Sequence, residues 1–400
     1  MLTKNKNDKN SILNSNTFWQ KFEVPYEFPV VFTENIFDVN NHDFLNVINR
    51  LEKNKRHKLI IFVDDGIEHI NKTLITKIKE YINYYSENLN LVTDPISIPG
   101  GEKIKSELYF VEEMMSKLNQ HHIDRHSYVV AIGGGAVLDA VGLIAATTHR
   151  GVRHIRIPTT VLSQNDSGVG VKNGVNLYGS KNYVGTFSPP FAVLNDINFI
   201  YDLTERDKIS GMAEAVKVAL IRDKNFFEWI ETNSNKLALF NKNEMIEMIK
   251  KCAQLHMHQI GYGGDPFEFG SARPLDFGHW SAHKLESMTK YRLRHGEAVA
   301  IGIALDARYS VLKGLLKEGL EDRICFLLEH IGFKLWHSGL ETKNSDGSLE
   351  IIKGIEDFRE HLGGELTITL LTNIGIGVEV NEMDLKLIKE SIDWLKSRES

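Results

Sequence analysis

The chain has 400 residues, 42% of them hydrophobic, and a formal net charge of −6. That length exceeds what one compact core ordinarily serves, so two domains are expected, and the apolar share is that of an ordinary globular chain. Acidic and basic residues are interspersed rather than blocked, which argues against nucleic-acid and membrane partners and leaves small soluble ligands.

Residues 1–20 begin MLTKNKNDKNSILNSN, polar and without the apolar core of a signal peptide, so a loose, disordered tail that directs no export is expected. Cys252 and Cys325 are too few and too far apart for a disulfide framework or a cysteine zinc site, which fits a reducing cytoplasm. KLIIFVDDGI (58–67) reads as a strand ending on Asp64 and Asp65, where a carboxylate can accept bonds from a ribose hydroxyl. The most apolar run, YVVAIGGGAVLDAVGLIAATTHRG (128–151), carries Asp139 and a glycine triplet at its centre, which argues against a membrane span. It divides instead into a strand (128–132), a glycine turn (133–135) and a helix (136–148). This unit sets phosphates on a helix N-terminus, although a purely structural strand-turn-helix has the same pattern.

Strand-like and helical runs alternate from about 58 to 200, the mark of a parallel α/β sheet. Past residue 204 the texture changes. TERDKISGMAEAVKVALIRD opens on a Thr cap, and NEMIEMIKKCAQLHMHQIG has helical spacing with a Gly stop. The expected division is a tail over 1–20, an α/β domain over 21–200 and a mainly α-helical domain over 201–400.

Three histidines crowd the segment 270–302, and a histidine alone is more often a core or surface group than a ligand. His279 and His283 are four apart and share a helical face, but the intervening WSA lacks the glutamate of a zinc peptidase motif. His295, in RHGEAVAIG, leads into a helix of small residues, and Glu214, in GMAEAVK, supplies a carboxylate. Two histidines and a glutamate leave open positions on a divalent ion for substrate oxygens, a pattern that is suggestive without being unique.

The segments PGGEKIKS, GGGAVLDAVGLIAATTHRGVRHIRIPTTVLSQNDSGVGVKNG, GSKNYVGTF, GMAEAVK, DFGHWSAH and RHGEAVAIG together resemble 3-dehydroquinate synthases and the wider sugar phosphate cyclases, over roughly residues 25–380. The resemblance implies a Rossmann-like NAD-binding domain, a helical domain holding a divalent metal (zinc or cobalt), an active site between them, and a homodimer. By this resemblance Glu214, His279 and His295 are metal ligands, and His283 lies on the phosphate side. Asp166, Lys172, Lys181, Asn182 and Lys217 line the substrate, and Arg150 reaches a neighbouring subunit's pocket. Asp64, Glu102, Lys105, Gly134, Gly135, Asp139, Thr159 and Thr160 occupy positions similar to those that hold NAD. The implied reaction is a cycle without net redox change: transient oxidation of a secondary alcohol, elimination of phosphate, return of the hydride, and ring opening and closure to a carbocycle.

Departures from the dehydroquinate synthase pattern put the substrate in question. Asp276 stands where an asparagine is expected, and a carboxylate there repels a substrate carboxylate and favours a hydroxyl, unless it only caps the His279 helix. Ala272 replaces an expected arginine, with Arg273 one step off. His256 and His258 are the local candidates for an upstream lysine, and Arg359 and His361 fall about where a lysine pair is expected. These changes resemble cyclases acting on sedoheptulose 7-phosphate, such as 2-epi-5-epi-valiolone synthases, and GDPFEFGSARPLDFGHWSAHKLE looks most like Ebo-type cyclases. A metal-dependent polyol dehydrogenase and a non-catalytic binding protein on the same fold are the alternatives. Release of NADH would mark the former, and absence of metal and of phosphate release the latter.

Overall fold

The computed structural model describes residues 20–178, 180–264, 266–267, 274–361 and 364–399. The expected tail, apart from Gln20, and the expected substrate residue Arg273 lie outside them. Seven parallel strands form one sheet: β1 (Val30–Thr33), β2 (His57–Asp64), β3 (Leu89–Leu91), β4 (Ile96–Ile98), β5 (Tyr128–Gly133), β6 (Arg153–Pro158) and β9 (Ala192–Asp196). The order is β1-β9-β6-β5-β2-β3, with β4 continuing the β3 edge beside the last residues of β2. β2 and β5 are near-continuous apolar runs because they are central and covered on both faces. Two strands between β6 and β9, β7 (Lys172–Leu177) and β8 (Ser180–Phe187), form a separate antiparallel pair.

The sequence reading is corrected in three places. The strand read over 58–67 stops at Asp64, because the Asp64 carboxylate accepts a bond from the Gly66 N–H and starts a helix over Asp65–Ile70. β1 precedes the alternating strand and helix runs read from residue 58 and lies inside the α/β domain expected over 21–200. An antiparallel pair, β10 (Ile368–Asn373) and β11 (Ile376–Val380), interrupts the otherwise helical second half.

Four helices of that half carry or support the candidate site: Glu205–Arg222, Lys242–Tyr262, His279–Met288 and His295–Leu312. The first opens on Thr204, whose hydroxyl accepts from the Asp207 N–H. The His295 helix crosses its neighbours backbone to backbone. A Cβ on Gly296 would lie 1.7 Å from the Ser210 carbonyl oxygen, and one on Gly302 would lie 2.0 Å from that of Gly278. Glycine is required at both crossings, and Gly278 itself is left-handed (φ 77°). No helix among the described residues is long and apolar enough to cross a membrane.

Gly296→Ala therefore has to push the His295 helix away from the Glu214 helix. Overpacking costs ~1–3 kcal/mol where flexible side chains give way, and more is expected against a backbone oxygen. Urea denaturation should show a midpoint lowered accordingly, and an unchanged midpoint would contradict the close crossing.

Candidate active site

Glu214 sits in the middle of the Glu205–Arg222 helix with none of its surface exposed. His279 Nε2 and His295 Nε2 approach its Oε1 at 3.6 and 3.5 Å. One ligand atom from each of the three lies within 4.8 Å of the other two. Each imidazole is held by its other nitrogen, His279 Nδ1 by the Phe277 carbonyl and His295 Nδ1 by the Glu286 carboxylate, both at 3.1 Å. Those oxygens only accept, so each Nδ1 carries a proton and each Nε2 faces Glu214. Against burial, the Glu286 and Glu214 carboxylates raise the His295 pKa to about 9, so its Nε2 gives up a proton to a cation that binds there. Glu214 Oε1, the oxygen that faces both imidazoles, is buried without a hydrogen bond, the condition of a donor set that fits a cation.

The Lys217 ammonium stands against Glu214 Oε2, one helical turn on. Burial works against the Glu214 charge, but Lys217 and the two imidazoles outweigh it and hold the carboxyl well below its ordinary range. Burial likewise opposes the Lys217 charge, yet Glu214, Asp166 and Asp276 together raise its pKa. Burial and the Lys217 charge drive His279 well below its ordinary value, so it is neutral.

Asp166, on one π-helical turn (Ser163–Ser167), meets His256 Nδ1 at 3.2 Å, and Lys172 is close enough for its charge to act on His256. Asp276 does not cap the His279 helix. Gly278 holds that position without a side-chain bond, and the Asp276 charge acts on Lys217. His283 stacks at 6.1 Å on His295 and edge-on at 5.3 Å to His279. Lys181, on β8, reaches across to the His279 helix, where its ammonium donates to both Glu286 oxygens at 3.1 and 3.3 Å.

The residues expected on the cofactor side follow the carboxyl ends of β2, β4, β5 and β6. Gly134 opens the Gly135–Thr147 helix with no side-chain cap, which leaves its N–H groups for an anion. Thr159 and Thr160 follow β6, and a Cβ on Gly135 would lie 2.6 Å from the Ser167 hydroxyl. Asp64 is partly spent on the Gly66 bond, and burial raises its pKa. Lys105 is buried and donates to Asp139 at 2.8 Å and to the Asn182 side chain, while Glu102 accepts from Asn176 at 3.0 Å. The groups assigned to cofactor and to substrate thus share one polar network.

Two expected residues are not gathered. Arg150 is exposed at the far end of the Gly135–Thr147 helix, about 20 Å along the axis from its N-terminus. Arg359 is exposed and ion-pairs with Glu356 on its own helix.

The sequence reading missed several supports. Glu286 lies seven residues after His279 and three after His283, a spacing that puts all three on one face. Arg156, fully buried in β6, donates to the carbonyls of Gly168, Gly170 and Lys172 (3.2, 2.8 and 2.9 Å) and to Asn173 Oδ1 (2.7 Å), which fixes the loop between Asp166 and Lys172. Asp306, whose pKa burial pushes up to about 7, accepts from the Gly278 N–H and the Trp280 indole and so locks the start of the His279 helix.

Residues 95–210 match the 3-dehydroquinate synthase N-terminal family model, and residues 211–353 match the C-terminal one. The chain is 33% identical over 306 residues to the 3-dehydroquinate synthase of Vibrio atlanticus, covering 76% of this chain and 82% of that one. Among solved structures it is similar to a 2-epi-5-epi-valiolone synthase from Streptomyces hygroscopicus with NAD+ and Zn2+ bound, at TM-score 0.83 and 24% identity over 95% of this chain and 100% of that chain. It is also similar to a 2-deoxy-scyllo-inosose synthase in complex with carbaglucose-6-phosphate, NAD+ and Co2+, at TM-score 0.70 and 23% identity, covering 91% and 96%. Both likenesses bear on the fold, a Rossmann-like α/β domain followed by a mainly helical one. With two family models meeting end to end and a relative this similar, the chain belongs to the 3-dehydroquinate synthase family.

Proposed function

We propose that this protein is a sugar phosphate cyclase that converts a seven-carbon ketose phosphate, sedoheptulose 7-phosphate, to a carbocycle with loss of phosphate. In this reading it binds NAD and one divalent cation, zinc or cobalt. The observation that carries the substrate is charge. Three carboxylates, Glu214, Asp166 and Asp276, act on one buried ammonium, that of Lys217, so negative charge outnumbers positive immediately around it. A divalent cation on Glu214, His279 and His295 offsets that excess. A substrate carboxylate would restore it, whereas a polyol end adds no charge.

When bound, NAD supplies reversible hydride transfer and the cation polarises a substrate oxygen. The chain's own residues do the rest. Glu214 and the inward Nε2 atoms of His279 and His295 hold the cation. The Lys217 ammonium, held charged by its carboxylate neighbours, donates to a substrate oxygen beside them. The Asp166–His256 pair accepts from hydroxyls: His256 Nδ1–H donates to Asp166, which leaves the buried His256 Nε2 as an acceptor. His283, Lys172 and Lys181 supply the phosphate side, and Gly134 and Gly135, with Thr159 and Thr160, receive the dinucleotide at the open helix end. Arg150, Arg273 and Arg359 belong to the substrate set only by sequence position. The same reading includes a homodimer, a cytoplasmic setting supported by two buried free thiols, a division near residue 200, and kinship with Ebo-type and valiolone-type cyclases.

One second reading, 3-dehydroquinate synthase itself, is favoured by the identity to the Vibrio enzyme over most of its length. Purified protein supplied with NAD and zinc or cobalt is expected to release phosphate from sedoheptulose 7-phosphate without accumulating NADH. Release only from 3-deoxy-arabino-heptulosonate 7-phosphate would establish the second reading, and stoichiometric NADH would establish a dehydrogenase. Asp276→Asn removes one of the repelling charges. The preference for the carboxylate-free substrate, as a ratio of kcat/KM values, should narrow by about tenfold, equivalent to ~1.4 kcal/mol. An unchanged ratio would remove Asp276 from substrate selection.

A further inference from the structure

The two imidazoles of the cluster are held in different ways. His279 is fixed by a main-chain carbonyl two residues before it in sequence, a partner that no side-chain replacement removes. His295 is fixed by a side chain, and that side chain has a second task. The Glu286 carboxylate, only 3% exposed, takes the His295 Nδ1–H on Oε2 at 3.1 Å and the Lys181 ammonium on Oε1 and Oε2 at 3.1 and 3.3 Å. Lys181 comes from the β7–β8 pair, outside the helical half, and its ammonium also lies 5.9 Å from the centre of the Tyr291 ring.

We propose that Glu286 is the positioning residue of this centre, fixing the His295 tautomer that offers Nε2 to a cation while fastening Lys181 to the helix that carries His279 and His283. The inference rests on the reading of Glu214, His279 and His295 as a cation site. A carboxylate behind a ligand imidazole sets its proton on the far nitrogen, orients the ring and raises its basicity, so affinity for the cation depends on a residue that never touches it. The second contact gives the same carboxylate a mechanical role. It joins the strand pair bearing Lys181 and Asn182 to the helix bearing His279, so the anion-binding lysine is held at a set distance from the cation site.

The test is zinc affinity of the full-length chain, stripped of metal and titrated against a chromophoric chelator, together with the ligand-field absorption of the cobalt-loaded protein. Glu286→Gln, which keeps an acceptor but removes the charge, should bind zinc roughly 10- to 100-fold more weakly and alter the cobalt spectrum. Glu286→Gln and Lys181→Met both break the Lys181–Glu286 pair, so both should lower the thermal midpoint of the metal-free form, but zinc affinity should fall only in the first, a split that a merely structural role would not permit. Lys181→Met should bind zinc as tightly as the wild type or more so, because the whole carboxylate then serves His295. If Glu286→Gln fails to fold, Glu286→Asp, whose shorter arm draws the charge away from Nδ1, should show the same loss. Zinc binding by the Gln variant, or by the Asp variant in its place, within about threefold of wild type would overturn the proposal. A wild type that binds no zinc would overturn the cation-site reading itself, a result distinguishable from the first because it needs no variant.

Discussion

A carboxylate with no exposed surface must be neutralised where it stands, since leaving a buried charge unpaired costs several kcal/mol. Glu214 is such a group, and much of the second half of the chain is arranged around it. Lys217 balances it from the same helix at Oε2, His279 and His295 approach Oε1 from two others, and no hydrogen bond closes Oε1. The Lys217 charge is itself shared among three carboxylates, which leaves the pocket poised for a cation rather than filled by one residue. The Asp166, Glu214 and His256 donors also lie within 4.8 Å of one another, but Lys217 acts on that side of Glu214 and supplies its positive charge.

Bringing these groups together needs backbone approach closer than side chains allow. Gly296 and Gly302 let the His295 helix meet the Glu214 and His279 helices, and Asp306 pins the left-handed turn at Gly278 from which His279 starts. On the α/β side one buried guanidinium, Arg156, does comparable work by tying down three carbonyls of the loop between Asp166 and Lys172. The β7–β8 pair then links the two halves through Lys181 and the Lys105–Asn182 contact.

Much of this was legible in the sequence for a physical reason. The central strands are buried on both faces and write themselves as apolar runs, and the glycine turn after β5 has to be glycine where backbone meets side chains so closely. Glu214, His279 and His295 stood out in the sequence as a suggestive donor set and were assigned as ligands only through the family resemblance; the fold brings the three side chains together. Other features were not legible. Asp64 looked like the end of a longer strand because capping depends on where the chain turns. ITLLTN and IGVEV (368–380) carry β-branched residues but lie in a helical context that masked the pair. Glu286 reads locally as one more helical glutamate, and its meaning appears only when Lys181, more than a hundred residues earlier, is brought against it.

The claim on which the account stands is that a single cation occupies the Glu214–His279–His295 cluster. Anomalous scattering at the zinc absorption edge from crystals of the zinc-loaded protein tests it directly. The account predicts one peak, within about 2.0–2.2 Å of a Glu214 oxygen and of the two Nε2 atoms. A peak centred on Asp166 and His256, or a protein that takes up zinc with no peak touching Glu214, would contradict it.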